Sequence, residues 1–241
     1  MAKIPRSPEQ IYDEFTRDMQ QIFSQDLVSI ALYGSGAKGE YRYKKSDINF
    51  LVILTENGIQ QLDRAFSLVK KWRKRNVSVP LFLTRNYIES ALDSYPIEFL
   101  NMQRQHILVH GEDILSGLVI APENLRLQCE AQIRGKLLHL REEFLKTAGK
   151  KRALRNLLSR TVPAFSSLFT ALLAFKGFEV PDKQEEILTG TARQFHLDDS
   201  VFRAVIEVRK GGGAKKADEL VDVTNRYISE IRKLTSIVDS W

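Results

Sequence analysis

The sequence predicts an α+β fold: a mixed-sheet domain followed by an all-helical bundle. Two observations predict it. Strand and helix patterns alternate up to about residue 120, and from Asn124 onward every periodic segment reads as helix. Composition agrees, because 241 residues with 43% hydrophobic and 27% charged side chains suit a globular chain able to bury a core without disulfides or metals. The expected domains are residues 1–120 and 121–241.

In chain order, Ser7-Pro8-Glu9-Gln10 opens a helix, with Ser7 as cap, Pro8 at the first helical position and Gln10 completing a capping box. Ile11, Phe15, Met19 and Phe23 follow at helical spacing. Leu27–Tyr33 reads as a strand ending in glycines, and Asp47–Leu54 as a second strand closed by the turn Thr55–Gly58. Residues 59–75 read as an amphipathic helix with Leu62, Phe66, Val69 and Trp72 inward. Val77–Thr84 reads as a third strand, Thr84 caps a short helix to Leu92, and Pro96–His110 reads as one or two further strands ended by Gly111. About five strands are expected in the sheet and four to six helices in the bundle. The bundle begins with a helix whose face carries Cys129, Ile133, Leu137, Leu140 and Phe144. Residues 151–176 form one helix or two, with Pro163 a kink or break and Gly177 the end. Helices over about 183–196, 199–210 and 215–239 follow, and Gly211-Gly212-Gly213 is a flexible connection.

Several classes are excluded. No stretch approaches the run of about 18 apolar residues that a membrane helix needs. The N-terminus shows no apolar signal region, so secretion is not expected and a cytoplasmic location is the default. Cys129 is the only cysteine, which rules out an internal disulfide and argues against cysteine-based zinc sites. The net charge of +6 is compatible with an anionic ligand. The excess lies mostly in the helical half, with 21 basic and 16 acidic residues against 15 and 14 in the first 120.

The informative segment is Tyr33-Gly34-Ser35-Gly36-Ala37-Lys38-Gly39, followed by Ser46-Asp47-Ile48-Asn49-Phe50. A strand ending in Gly-Ser exposes backbone N–H groups that can cradle phosphate, with Ser35 and Lys38 in support. Gly34, Gly36 and Gly39 match a dinucleotide-binding pattern, but only Glu40–Ser46, seven residues, precede the next strand. A parallel crossover needs about a dozen residues or more. A P-loop also fails, since Glu40 and Tyr41 follow Gly39. Gly-Ser, a short spacer, then Ser-Asp-x-acid on an apolar strand resembles the DNA polymerase β-like nucleotidyltransferase superfamily, including the aminoglycoside and kanamycin nucleotidyltransferases. The helical half resembles the bundle that follows the transferase domain in those families.

The resemblance implies transfer of a nucleoside monophosphate from Mg-NTP to a hydroxyl, with Mg2+ and NTP as ligands. Gly34, Ser35, Lys38 and Ser46 would hold the triphosphate. Asp47 matches the first metal-binding, catalytic carboxylate, and Asn49, two residues on and on the same strand face, stands at the second. Asn49 is a departure, because Mg2+ sites favour carboxylates. The third carboxylate is expected from Val77–Thr84, which holds no acid, and Phe82 stands near where an aminoglycoside-type enzyme carries its base. Glu98 is an alternative source, read first as an ordinary surface glutamate on a strand, while Asp93 and Asp113 read as turn and cap residues. Two functions therefore stand: an enzyme acting on a small-molecule, protein or RNA hydroxyl, and a degenerate relative, a pseudoenzyme, that binds nucleotide, RNA or a protein partner without turnover. No membrane partner is expected, and the helical domain is the place for a homodimer or protein partner.

The remaining motifs have plainer readings. The basic run Lys70–Arg75 reads as the solvated end of a helix with Trp72 in the core. A second basic cluster, which includes Lys146, Arg155 and Arg160, reads as a solvated helix face. Arg134 and His139 match a ribonuclease R-x4-H spacing that Arg104 and His110 also meet loosely, so the match carries little weight. His106 and His196 have no ligand-like spacing. Cys129, Phe165, Phe169 and Phe175 read as packing.

Overall fold

The computed structural model describes residues 4–214 and 216–241. Two compact units divide the chain: residues up to Asp93 together with Phe99–Ile120, and Ser94–Glu98 together with Ala121–Trp241.

In the first unit, Pro8–Ile11 forms a 3-10 turn that leads into α1 (Tyr12–Phe23). The expected capping box is replaced: Ser7 makes no side-chain cap, and the Gln10 amide oxygen accepts the Arg6 N–H at 2.9 Å. The tighter 3-10 turn puts Gln10 within reach of the backbone one residue further back. Ile11, Phe15, Met19 and Phe23 are all buried, as their spacing predicts. Phe15 stacks on Phe50 with ring centroids 4.1 Å apart and meets Trp72 edge-on.

Among the described residues the sheet has four strands, not about five: β1 (Leu27–Tyr33), β2 (Asn49–Leu54), β3 (Leu81–Thr84) and β4 (His106–Gly111). Their order is β3–β2–β1–β4, with β1 antiparallel to both neighbours and β2 parallel to β3. The sheet is therefore mixed. The third strand is shorter than Val77–Thr84, whose first residue makes only an isolated bridge to Ile48, just before β2. Pro80 has no N–H to extend the ladder. Gly111 ends β4 with φ +79°, and a side chain there would meet the Val28 carbonyl oxygen at 2.1 Å.

Between the strands lie α2 (Glu56–Ile59), α3 (Phe66–Arg73), α4 (Arg85–Ala91) and α5 (Pro96–Arg104). The helix expected over 59–75 is broken into α2, a 3-10 turn and α3. Trp72 is buried and Leu62 and Val69 pack partly buried against the core, as expected, whereas Phe66 is 74% exposed and Leu68 is buried instead. Thr84 caps α4 by accepting the Tyr87 N–H at 3.1 Å, as expected. Pro96–Arg104 is a helix rather than a strand. Ile97 and Phe99 alternate as in a strand, and so short an apolar run does not separate the two periods. Pro96 supplies the favoured first helical residue.

The second unit packs α6 (Pro122–Lys146), α7 (Lys151–Phe175), α8 (Gln184–Gln194), α9 (Asp199–Arg209) and α10 (Ala217–Asp239). Lys215, included in the expected start of the last helix, lies outside the described residues. On α6, Cys129, Ile133, Leu137 and Leu140 are buried, as predicted. α7 is the central element, packed by α6, α8, α9 and α10. It runs unbroken through Pro163; burial on several sides outweighs the missing hydrogen bond. By length and composition it is apolar enough to cross a membrane, contrary to the sequence expectation, but 61% of its apolar window is buried inside the structure, as in a core helix. The Gly211–Gly213 connection is tied down rather than loose. The Arg155 guanidinium donates to the carbonyls of Gly212 at 3.1 Å and Ala214 at 2.8 Å.

Candidate functional site

The Tyr33–Asn49 pairing brings the turn after β1 beside the start of β2. In that turn Lys38 N–H donates to the Gly34 carbonyl at 3.1 Å and Glu40 N–H to the Ser35 carbonyl at 3.0 Å. The N–H groups of Ser35, Gly36 and Ala37 have no backbone partner among the described residues. Three successive amides at the open end of a helical turn form a concave donor set suited to an anion. Gly34 has φ +72°, and a Cβ there would stand 3.2 Å from Asn49 Nδ2, so both conformation and close approach require glycine. Lys38 sits half-buried in the same turn.

Ser46 serves the loop itself. Its Oγ accepts the Arg42 N–H at 3.1 Å, and its carbonyl accepts from the Asn76 side chain at 3.1 Å. Asp47 follows, exposed, immediately before the buried Ile48. Burial raises the nearby Tyr41 hydroxyl above its ordinary value, and the charges of Tyr43 and Asp47 add to this. Asn49, half-buried on β2, accepts a hydrogen bond at Oδ1 from Ser78 Oγ at 2.7 Å. Ser78 N–H in turn donates to the Ile48 carbonyl at 3.0 Å.

Ser78 is the residue that sequence reasoning missed. It precedes β3 and lies alongside Asn49, on the segment from which the resemblance draws a third carboxylate. The available signal was negative: Val77–Thr84 contains no acid, and Ser78 is its first polar residue. Phe82, expected near the position of a base, packs against Phe23 with ring centroids 5.8 Å apart.

The donor set does not fit a pair of Mg2+ ions. Asp47 is its one carboxylate, Asn49 contributes a neutral oxygen already bonded to Ser78, and no group of three or more His, Cys, Asp or Glu side chains is placed to hold a metal among the described residues. Glu98 lies in the first turn of α5, not on a strand, and its oxygens accept from Gln128 at 2.7 Å and Gln132 at 3.2 Å on α6.

No family model matches the chain, and no curated protein matches it. Among solved structures, it is similar to the spectinomycin adenyltransferase AAD(9) from Enterococcus faecialis, determined with ATP and spectinomycin. The TM-score is 0.52 at 12% identity, covering 94% of this chain and 99% of that one. The chain has the nucleotidyltransferase fold. Within this fold the Gly34–Ser35 turn and the start of β2 lie in the N-terminal sheet unit, and the helical unit follows as the resemblance implies.

The other sequence features take structural roles. Lys71 pairs with Asp18 at 2.7 Å and Glu14 at 3.1 Å, Arg75 pairs with Glu14, and Trp72 Nε1 donates to Asp18 at 2.9 Å. Lys71 and Arg75, with Trp72 between them, thus fasten the end of α3 and the turn after it to α1. His106 has an acidic partner that its spacing hid: Nε2 lies 3.0 Å from Asp113 Oδ1 and Nδ1 2.9 Å from the Met102 carbonyl. Burial works against the Asp113 carboxylate, but hydrogen bonds from Ser116 and His106 hold it below its ordinary value. Arg134 is engaged by Glu130 and Asp239, and His139 is exposed beside Glu142, so neither forms a ribonuclease pair. Cys129 is fully buried, and its thiol is pushed up to about 12 by burial, with the charge of Glu98 adding to this.

Proposed function

We propose that the protein is a degenerate nucleotidyltransferase-fold protein that binds a nucleoside triphosphate without two-metal turnover. The observation that carries this reading is the Asn49–Ser78 hydrogen bond of 2.7 Å, a neutral pair where the superfamily's chemistry calls for charged metal ligands. The Ser35–Ala37 amides would receive the phosphates, with Lys38 beside them and Ser46 holding the loop. That the similar AAD(9) structure holds ATP supports a nucleotide as the ligand. The reading takes residues 1–120 as the nucleotide domain and 121–241 as a helical partner domain, in a cytoplasmic protein.

Asp47 favours the competing reading, transfer of a nucleoside monophosphate to a hydroxyl acceptor, because its carboxylate remains exposed beside the turn. Calorimetric titration of each NTP with and without Mg2+ separates the two. Micromolar binding, about −8 kcal/mol, that is indifferent to Mg2+ is expected. Asn49→Asp should make that binding Mg2+-dependent. Transfer of label from α-labelled NTP by the wild-type protein would overturn the proposal.

A further inference from the structure

A cavity of about 830 Å3 lies between α6 and α7, within the helical unit. That is the size of a small-molecule site. Lys136, His139 and Glu143 line it from one helix, and Asn156 and Arg160 from the other. Each set follows helical spacing, so the two faces oppose each other along the helix pair. Leu140, Leu157 and Phe165 supply an apolar wall.

The charges in this cavity are unbalanced. Glu143, its only carboxylate, is paired with Lys146 at 2.9 Å. Lys136 and Arg160 have no hydrogen-bonded or ion-pair partner among the described residues. Lys136 is half-buried, and burial lowers its ammonium below its ordinary value against the opposing pull of Glu98. Glu98 answers Lys136 only through the field, and a half-buried cation with no hydrogen-bonded or ion-pair partner is costly unless a further anion meets it.

Gly135 is the second observation. It sits inside a 25-residue helix, where glycine costs about 1 kcal/mol relative to alanine. Nothing lies within 4 Å of where its Cβ would be, so no packing contact requires a glycine there. Gly135 is itself part of the cavity lining.

We propose that this cavity binds a phosphate monoester with an apolar or aromatic body. The near-dianionic phosphate would be met by Lys136 and Arg160 with Asn156 as a neutral donor, and the body would lie on the Leu140–Phe165 wall. Phenyl phosphate serves as the probe, titrated calorimetrically into the full chain, with inorganic phosphate, phenol and spermidine as controls. Saturable binding of phenyl phosphate, at least tenfold tighter than inorganic phosphate or phenol, is expected. Lys136→Gln combined with Arg160→Gln should weaken it at least tenfold with an unchanged circular dichroism spectrum. Gly135→Leu, which favours the helix and keeps both cations, should weaken it comparably by filling the space. No saturable binding, retention of binding by either variant, or preference for spermidine would overturn the proposal.

Discussion

Two clusters of polar side chains contrast in this molecule. At the start of β2, Ser46, Asn49, Asn76 and Ser78 are bonded to one another or to nearby backbone. Between α6 and α7, Lys136, Asn156 and Arg160 line a cavity without such partners among the described residues. The first cluster stands where the fold's chemistry is expected, yet its side chains hold the structure together. The second stands where no motif pointed, and its charge is left over. A residue's place in a family pattern thus says less about its availability than the hydrogen bonds it already makes.

The most disruptive way to break this contrast is to remove the support of the first cluster. Phe50, fully buried next to Asn49 and stacked on Phe15, should cost about 3–5 kcal/mol as Phe50→Ala, measured by urea denaturation, and nucleotide binding should go with it. Gly34→Val forces a side chain into φ +72° and against Asn49 Nδ2. It should cost about 1–2 kcal/mol in backbone strain alone, and weaken NTP binding at least tenfold in calorimetry.

Smaller changes sharpen the contrast. Ser78→Ala leaves Asn49 Oδ1 without its donor and should destabilise by about 1 kcal/mol without creating Mg2+ dependence. A new Mg2+ requirement in that variant would show that the Asn49–Ser78 bond alone keeps metal out. In the second cluster the sign reverses: Gly135→Ala should raise stability by up to about 1 kcal/mol, read from thermal melts, because no contact there needs glycine.

The smallest expected effect is on pH dependence. The Arg75 hydrogen bond, followed by that of Lys71, holds Glu14 below its ordinary value of 4.5, outweighing partial burial. A lowered carboxylate stabilises above its unfolded value, and that gain fades as pH falls from there through the folded value. Solvent screening keeps this partly exposed pair to roughly 0–1 kcal/mol. Stability measured from pH 7 to pH 3 should fall slightly more steeply in wild type than in Glu14→Gln.

By itself, the sequence determined the glycine turn after β1, the strand that follows it, the apolar stripe of α1, the cap at Thr84 and the helical character after residue 120. All of these rest on interactions between residues close in the chain, so spacing and residue type suffice to read them. Tertiary structure decided the rest. Pro96–Arg104 became a helix because a short run with Ile97 and Phe99 buried fits either period, and packing chose between them. The outward place of Phe66, at the start of α3, depends on how α1 and the sheet receive that helix. The His106–Asp113 contact needs the chain to leave β4 and return. Asn49 and Ser78 are 29 residues apart and meet only because the segment leading into β3 runs parallel beside β2. The cavity at Lys136 and Arg160 exists only because two helices bring those faces together. Contacts of that range follow from how elements pack, which no local pattern encodes.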